Sequence, residues 1–158
     1  MDLFEASCQG IGLALAAGML AGAISGVFAP GDRRTSGRLP VPAAIVLVIG
    51  GIGGGLAFGN SLASEDHPAW PGWFVGAALA VFAFRLIRGV VVGAGVRAGA
   101  ESSGTAIAGM VSVAALIVAG MAVIWGPLSL LALGGLAYLA LRRRRRAGEK
   151  HAGLRSLR

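Results

Sequence analysis

Four long apolar blocks and a shorter fifth, parted by brief polar breaks, organise this chain. The first runs over 3–29 and stops at Pro30-Gly31. After the break GDRRTSGRLP, a second block covers 42–62, opening at Pro42, whose fixed φ suits a first helical turn. The break ASEDHPAWPG carries Glu65 and Asp66 but no Lys or Arg. A third block covers 71–98, and after RAGAESSG an uncharged run extends from Gly104 to Leu141. A crossing takes roughly 20 mostly apolar residues over a hydrocarbon core of about 30 Å. As one helix, 104–141 would measure about 57 Å. IWGPL at 124–128 offers the hinge, with glycine to end one helix and proline to start the next. The pattern predicts an all-α, polytopic transmembrane helix bundle of about five spans: 3–29, 42–62, 71–98, 104–125 and 128–141. It predicts four if Gly126-Pro127 is only a kink. The last span is short, and the arginines at its end extend it by snorkelling.

Charge orients the bundle. Eight of the fourteen basic residues lie in 142–158, opposed only by Glu149. With that basic tail in the cytoplasm, five crossings put the N-terminus outside, Arg33, Arg34 and Arg38 inside, Glu65 and Asp66 outside and Arg97 inside. Every loop then obeys the positive-inside rule, whereas four crossings put the three-arginine loop outside. The tail reads as a cytoplasmic anchor and not as a nucleic-acid surface, which would want a folded basic face or interleaved aromatics. Composition agrees: 56% of the 158 residues are hydrophobic and 13% charged, against about 25% charged in soluble domains. MDLFEASCQG places Asp2 and Glu5 where a secretory signal carries Lys or Arg, and Pro30 spoils cleavage after Ala29, so the first block is expected to stay as a helix. Cys8, the single cysteine, excludes an internal disulfide and any CxxC or zinc pattern. Glu5 excludes a lipoprotein signal around it, leaving a small buried thiol.

VIGGIGGGLAFGN resembles a phosphate loop only in composition, having neither GK[ST] nor a G-x-G-x-x-G register. The spacing that fits is every fourth residue: Gly51, Gly55 and Gly59, matched by Gly18, Gly22 and Gly26 in the first block and by the pairs Gly72/Gly76 and Gly89/Gly93 in the third. Residues four apart share a helix face, and glycine there lets membrane helices approach closely. The alternative is an unwound, substrate-binding break in a transporter helix.

Arg85 and Arg88 interrupt the apolar sequence AVFAFRLIRGVVVGAGVRAG. They lie about 60° apart around a helix, and about 21 and 25 Å along it from Pro71. A central arginine costs about 2.5–3.5 kcal/mol, against which the apolar residues of 74–92 return about 3–7 kcal/mol. Snorkelling to the inner headgroups is one reading. A cationic spot binding an anion or lipid headgroup is another, and pairing with a carboxylate is a third. No mid-membrane Asp or Glu is available for that pairing, which also argues against a cation-coupled pump.

Glu65, Asp66 and His67 make a compact cluster that reads as a solvated turn and not as a metal site. Trp70, Trp73 and Trp125 fall near outer span ends and Tyr138 near an inner one, as an interfacial belt does. Ser102, Ser103 and Thr105 read as caps ahead of the fourth helix. No catalytic constellation, metal set or cofactor motif is visible.

Met1-Asp2-Leu3, Cys8, the run Gly10-Ile11-Gly12-Leu13-Ala14, Gly18, Pro42-Ala43-Ala44, the small-residue loop Ser102 to Thr105 and the arginines 142–146 together resemble the bacterial membrane family named domain of unknown function 4126. This chain would be a shortened member, lacking a helix-length stretch between Pro30 and Pro42. The resemblance implies a bacterial multi-spanning membrane protein and no activity. One lysine among fourteen basic residues suggests a GC-rich genome, compatible with a bacterial plasma membrane. The expected function is a non-enzymatic membrane component that packs with itself as a homo-oligomer, with a membrane protein partner or with membrane lipids. It is expected to need no cofactor and no nucleic acid. The alternative is a small transporter or channel for an anionic solute or lipid headgroup, using Arg85 and Arg88.

Overall fold

The computed structural model describes residues 3–27, 41–98 and 101–155. They form five helices: α1 (Leu3–Val27), α2 (Val41–Ala63), α3 (Trp70–Ala98), α4 (Glu101–Ile124) and α5 (Leu128–Arg155). No strand occurs among the described residues. In lipid every backbone N–H and C=O must be satisfied within the protein, and a helix does this inside one segment, even one rich in glycine. Leu3–Val27, Val41–Ala63, Trp70–Ala94 and Thr105–Ile124 are each long and apolar enough to cross a membrane. The apolar part of α5, Leu128–Arg142, is shorter. The chain is an all-α bundle with the build of a multi-pass membrane protein.

Successive helices run in opposite directions. A side chain at Gly10 would strike Phe58, and one at Gly54 would meet Ala14 Cα at 3.5 Å, so α1 and α2 are antiparallel. Gly18 faces Ala80 and Gly26 faces Val91, so α1 and α3 are parallel. Gly12 faces both Ala122 of α4 and Ser129 of α5. Gly126-Pro127 is a turn and not a kink: the N–H of Leu128 donates to Trp125 O at 3.1 Å and that of Ser129 to Gly126 O at 2.9 Å. The chain reverses there and α5 climbs beside α1.

α1 is the hub, packed against α2, α3, α4 and α5. Leu15, Met19 and Ala23 of α1 meet Ala83, Ile87 and Val91 of α3, Ala108 and Ala115 of α4 and Leu136 of α5 in one buried cluster. In its apolar window α1 is 67% buried, against 17% for α4.

Two local features differ from the sequence reading. Helix α4 begins at Glu101, so Ser102, Ser103 and Thr105 lie within its first turns and not ahead of it. Helix α5 continues through the basic segment to Arg155, because arginine is a good helix former once the apolar stretch has ended. The three-arginine loop with Arg33, Arg34 and Arg38 lies outside the described residues.

Candidate functional site: arginines at one end of the bundle

Trp70 and Pro71 open α3, and two faces then run along it. Ala80, Ala83, Phe84, Ile87 and Val91 are buried. Phe74, Phe82 and Arg85 are exposed on the outer face. Arg88, three residues further, is partly buried. Its Nε is sealed from solvent and has no hydrogen-bond partner among the described residues. A buried N–H left unpaired costs about 1–3 kcal/mol. The shared face that spacing predicts for the two arginines is thus divided by the neighbouring helices, with Arg85 outside and Arg88 at the seam.

The depth of this pair follows from helix register. Gly18 beside Ala80 and Gly26 beside Val91 place Arg88 level with Ser25, within a turn of the α1 C-terminus. Gly12 beside Ser129 places Arg142 at nearly the same height, followed one turn later by Arg145. Arg142 and Arg145 are both exposed. Four arginines on two helices therefore lie at one end of the bundle. Trp70, Trp73 and Trp125 occupy the other end and are 63%, 50% and 60% exposed.

Two serines tie the Trp end of α1 to its neighbours. Ser61 Oγ donates to the Ala6 carbonyl at 2.5 Å, and Ser129 Oγ donates to the Cys8 carbonyl at 2.5 Å. Neither stood out in the sequence, since a lone serine after an apolar block carries no periodic signal. Cys8 is a free, buried thiol beside them.

The glycines differ in what they do. A Cβ at Gly18 would overlap the Ala80 backbone, one at Gly22 would lie 2.8 Å from Phe84 O, and one at Gly26 would lie 2.7 Å from Val91 Cγ1. Gly55 and Gly59 lie against Trp73 in the same way. Gly51 does not: its added Cβ would make only an ordinary contact, at 3.8 Å from Val81. Gly54 is the tight position there, with an added Cβ 2.6 Å from Ala80 Cβ and 3.0 Å from Gly76 O.

The acidic cluster closes α2. The N–H of His67 donates to Leu62 O and that of Asp66 to Ala63 O, both at 3.2 Å. Asp66 adopts φ 59°. This is a Schellman cap with aspartate in the left-handed position that Asn and Asp tolerate. Among the described residues no group of three His, Cys, Asp or Glu side chains could hold a metal ion. No family model matches the chain, and no curated protein or solved structure is similar to it.

Proposed function

We propose that this chain is a non-enzymatic component of a bacterial plasma membrane, with its N-terminus outside and its basic tail in the cytoplasm, working through contact with lipid, a partner or a second copy. The unequal burial of its helices carries the reading. α1 is enclosed, whereas α4 turns Met110, Leu116, Ile117 and Ile124 outward, each more than half exposed. Such a surface suits an apolar neighbourhood and not water. Kinship with the family named domain of unknown function 4126 belongs to the same proposal and gives no residue a role. A small anion transporter is the second reading, favoured by the buried Arg88 Nε, which has no partner among the described residues. The exposure of Arg85 weighs against it, because a solute path would enclose both arginines.

The test combines extraction, cross-linking and flux. The chain should stay in membranes through an alkaline carbonate wash. With Cys8→Ala as background, Leu116→Cys should cross-link to another copy or a neighbouring membrane protein, or be shielded by lipid from aqueous thiol reagents. Release by carbonate, or ready aqueous labelling at position 116, would defeat the membrane reading. Anion flux into proteoliposomes that is lost in Arg88→Gln would replace the leading reading with the transporter.

A further inference from the structure

Arg85, Arg88, Arg142 and Arg145 share a height that matters once the distance to the tryptophans is worked out. From Trp73 and Trp70 to Arg88 is 15 and 18 residues of α3, about 23–27 Å at 1.5 Å per residue. From Leu128 to Arg142 is 14 residues of α5, about 21 Å. Both fall short of a hydrocarbon core of about 30 Å. With the tryptophans at one interface, the arginine Cα atoms lie inside the opposite leaflet. Their side chains must reach outward for the headgroups, where the fixed chemical partner is phosphate.

The α3 pair is best placed to grip one. Arg85 and Arg88 are separated by about 4.5 Å along the axis and about 60° around it, and Arg85 opens onto the lipid-facing side. Guanidinium presents a planar fork of N–H donors that pairs two at a time with phosphate oxygens. The Arg88 Nε donor is buried and unpaired among the described residues. Among the side chains described, the carboxylates are Glu5, Glu65 and Asp66, all at the tryptophan end and out of reach. The antiparallel register that sets Gly54 against Ala80 and Gly51 against Val81 brings the first turn of α2 level with Arg88. Its leading N–H groups lack partners within the helix and carry the positive end of the dipole. Among the described side chains the charges at this height are all positive, which repels cations and attracts an anion.

We propose that Arg85 and Arg88 hold the phosphate of an anionic phospholipid in the leaflet at the α1 C-terminal end, with Arg142 and Arg145 strengthening the same layer from α5. The proposal rests on the membrane-spanning reading above. It is tested on the full chain in nanodiscs containing equal parts of phosphatidylglycerol and phosphatidylcholine, by native mass spectrometry of the lipids retained after release. Wild-type protein should retain phosphatidylglycerol in excess, and the preference should fall about five-fold for each arginine removed in Arg85→Gln and Arg88→Gln. The paired Arg85→Lys, Arg88→Lys variant should keep much of it, lysine being a phosphate partner without the fork.

No phosphatidylglycerol excess on wild-type protein overturns the proposal without recourse to any variant. An excess unchanged in the glutamine pair overturns it too. Displacement of the lipid by millimolar inorganic phosphate would make a free anion the ligand and refute the lipid assignment. Alkaline carbonate treatment of the native membranes separates the two levels: release of the chain would defeat the membrane reading itself, whereas retention without lipid preference defeats only this site.

Discussion

Gly18→Ala adds one methyl group, and the place where it lands decides the effect. The new Cβ would lie 2.7 Å from Ala80 Cα and 2.8 Å from its carbonyl carbon. Comfortable carbon–carbon contact begins near 3.5 Å, so α1 and α3 must part by roughly 1 Å. No side chain can rotate away, because the obstacle is backbone. Gly22 against Phe84 and Gly26 against Val91 lie on the same seam, so the opening spreads. A gap of about 0.5–1 Å already forfeits a quarter to a half of each contact's attraction. The loss should fall at the upper end of overpacking penalties, about 2–3 kcal/mol. Reversible unfolding of purified protein by SDS in mixed micelles, followed by circular dichroism, measures it. Gly109→Ala on α4 is the control, since its methyl would meet nothing within 4 Å. It should be no less stable than wild type, and up to about 1 kcal/mol more stable, alanine being the better helix former. If Gly18→Ala is as stable as wild type, or if the control loses as much, the close seam between α1 and α3 is wrong.

Three further outcomes follow from other positions. Ser61→Ala and Ser129→Ala each delete one hydrogen bond to an α1 carbonyl, and each should lower stability by about 0.6–1.7 kcal/mol in the same SDS titration. Substitutions with no measurable effect would show those bonds to be incidental. Cys8 is 2% exposed, so it should resist maleimide in the folded protein and react after SDS unfolding. Rapid labelling of the native protein would contradict the packing of α5 on α1. In a Cys8→Ala background, Trp125→Cys should label with an impermeant reagent from one side of sealed vesicles only, the side opposite to Arg142→Cys. Labelling of both from the same side would return Gly126-Pro127 to a kink.

The five helices were legible because apolar blocks and their breaks register the passage between lipid and water. The turn at Gly126-Pro127 was legible for a related reason: no single helix of that length fits a bilayer. The end of α5 was not, because hydropathy marks where an apolar environment stops and says nothing of where helical φ and ψ stop. The glycines show another limit. A period of four isolates one face, which for α1 and for Gly55 and Gly59 is the contact face. α2, however, is wedged between α1 and α3, and a wedged helix needs small residues on two faces. Gly54 therefore carries the close contact that periodicity assigned to Gly51. Spacing likewise put Arg85 and Arg88 on one face, but the neighbours of α3 decide which is covered, and neighbours are a tertiary property.

The most enclosed helix is made before the four that pack against it. Between Val27, where α1 ends, and Ala98, where α3 ends, 71 residues must still be synthesised. At roughly 5–20 residues per second this takes about 4–14 s. Until α3 follows, the glycine seam of α1 is incomplete, and α5, which supplies the Ser129 tie, comes only after α4. A helix this rich in small residues offers lipid little to grip while it waits. Closure of the seam during biogenesis therefore waits on helices made after α1.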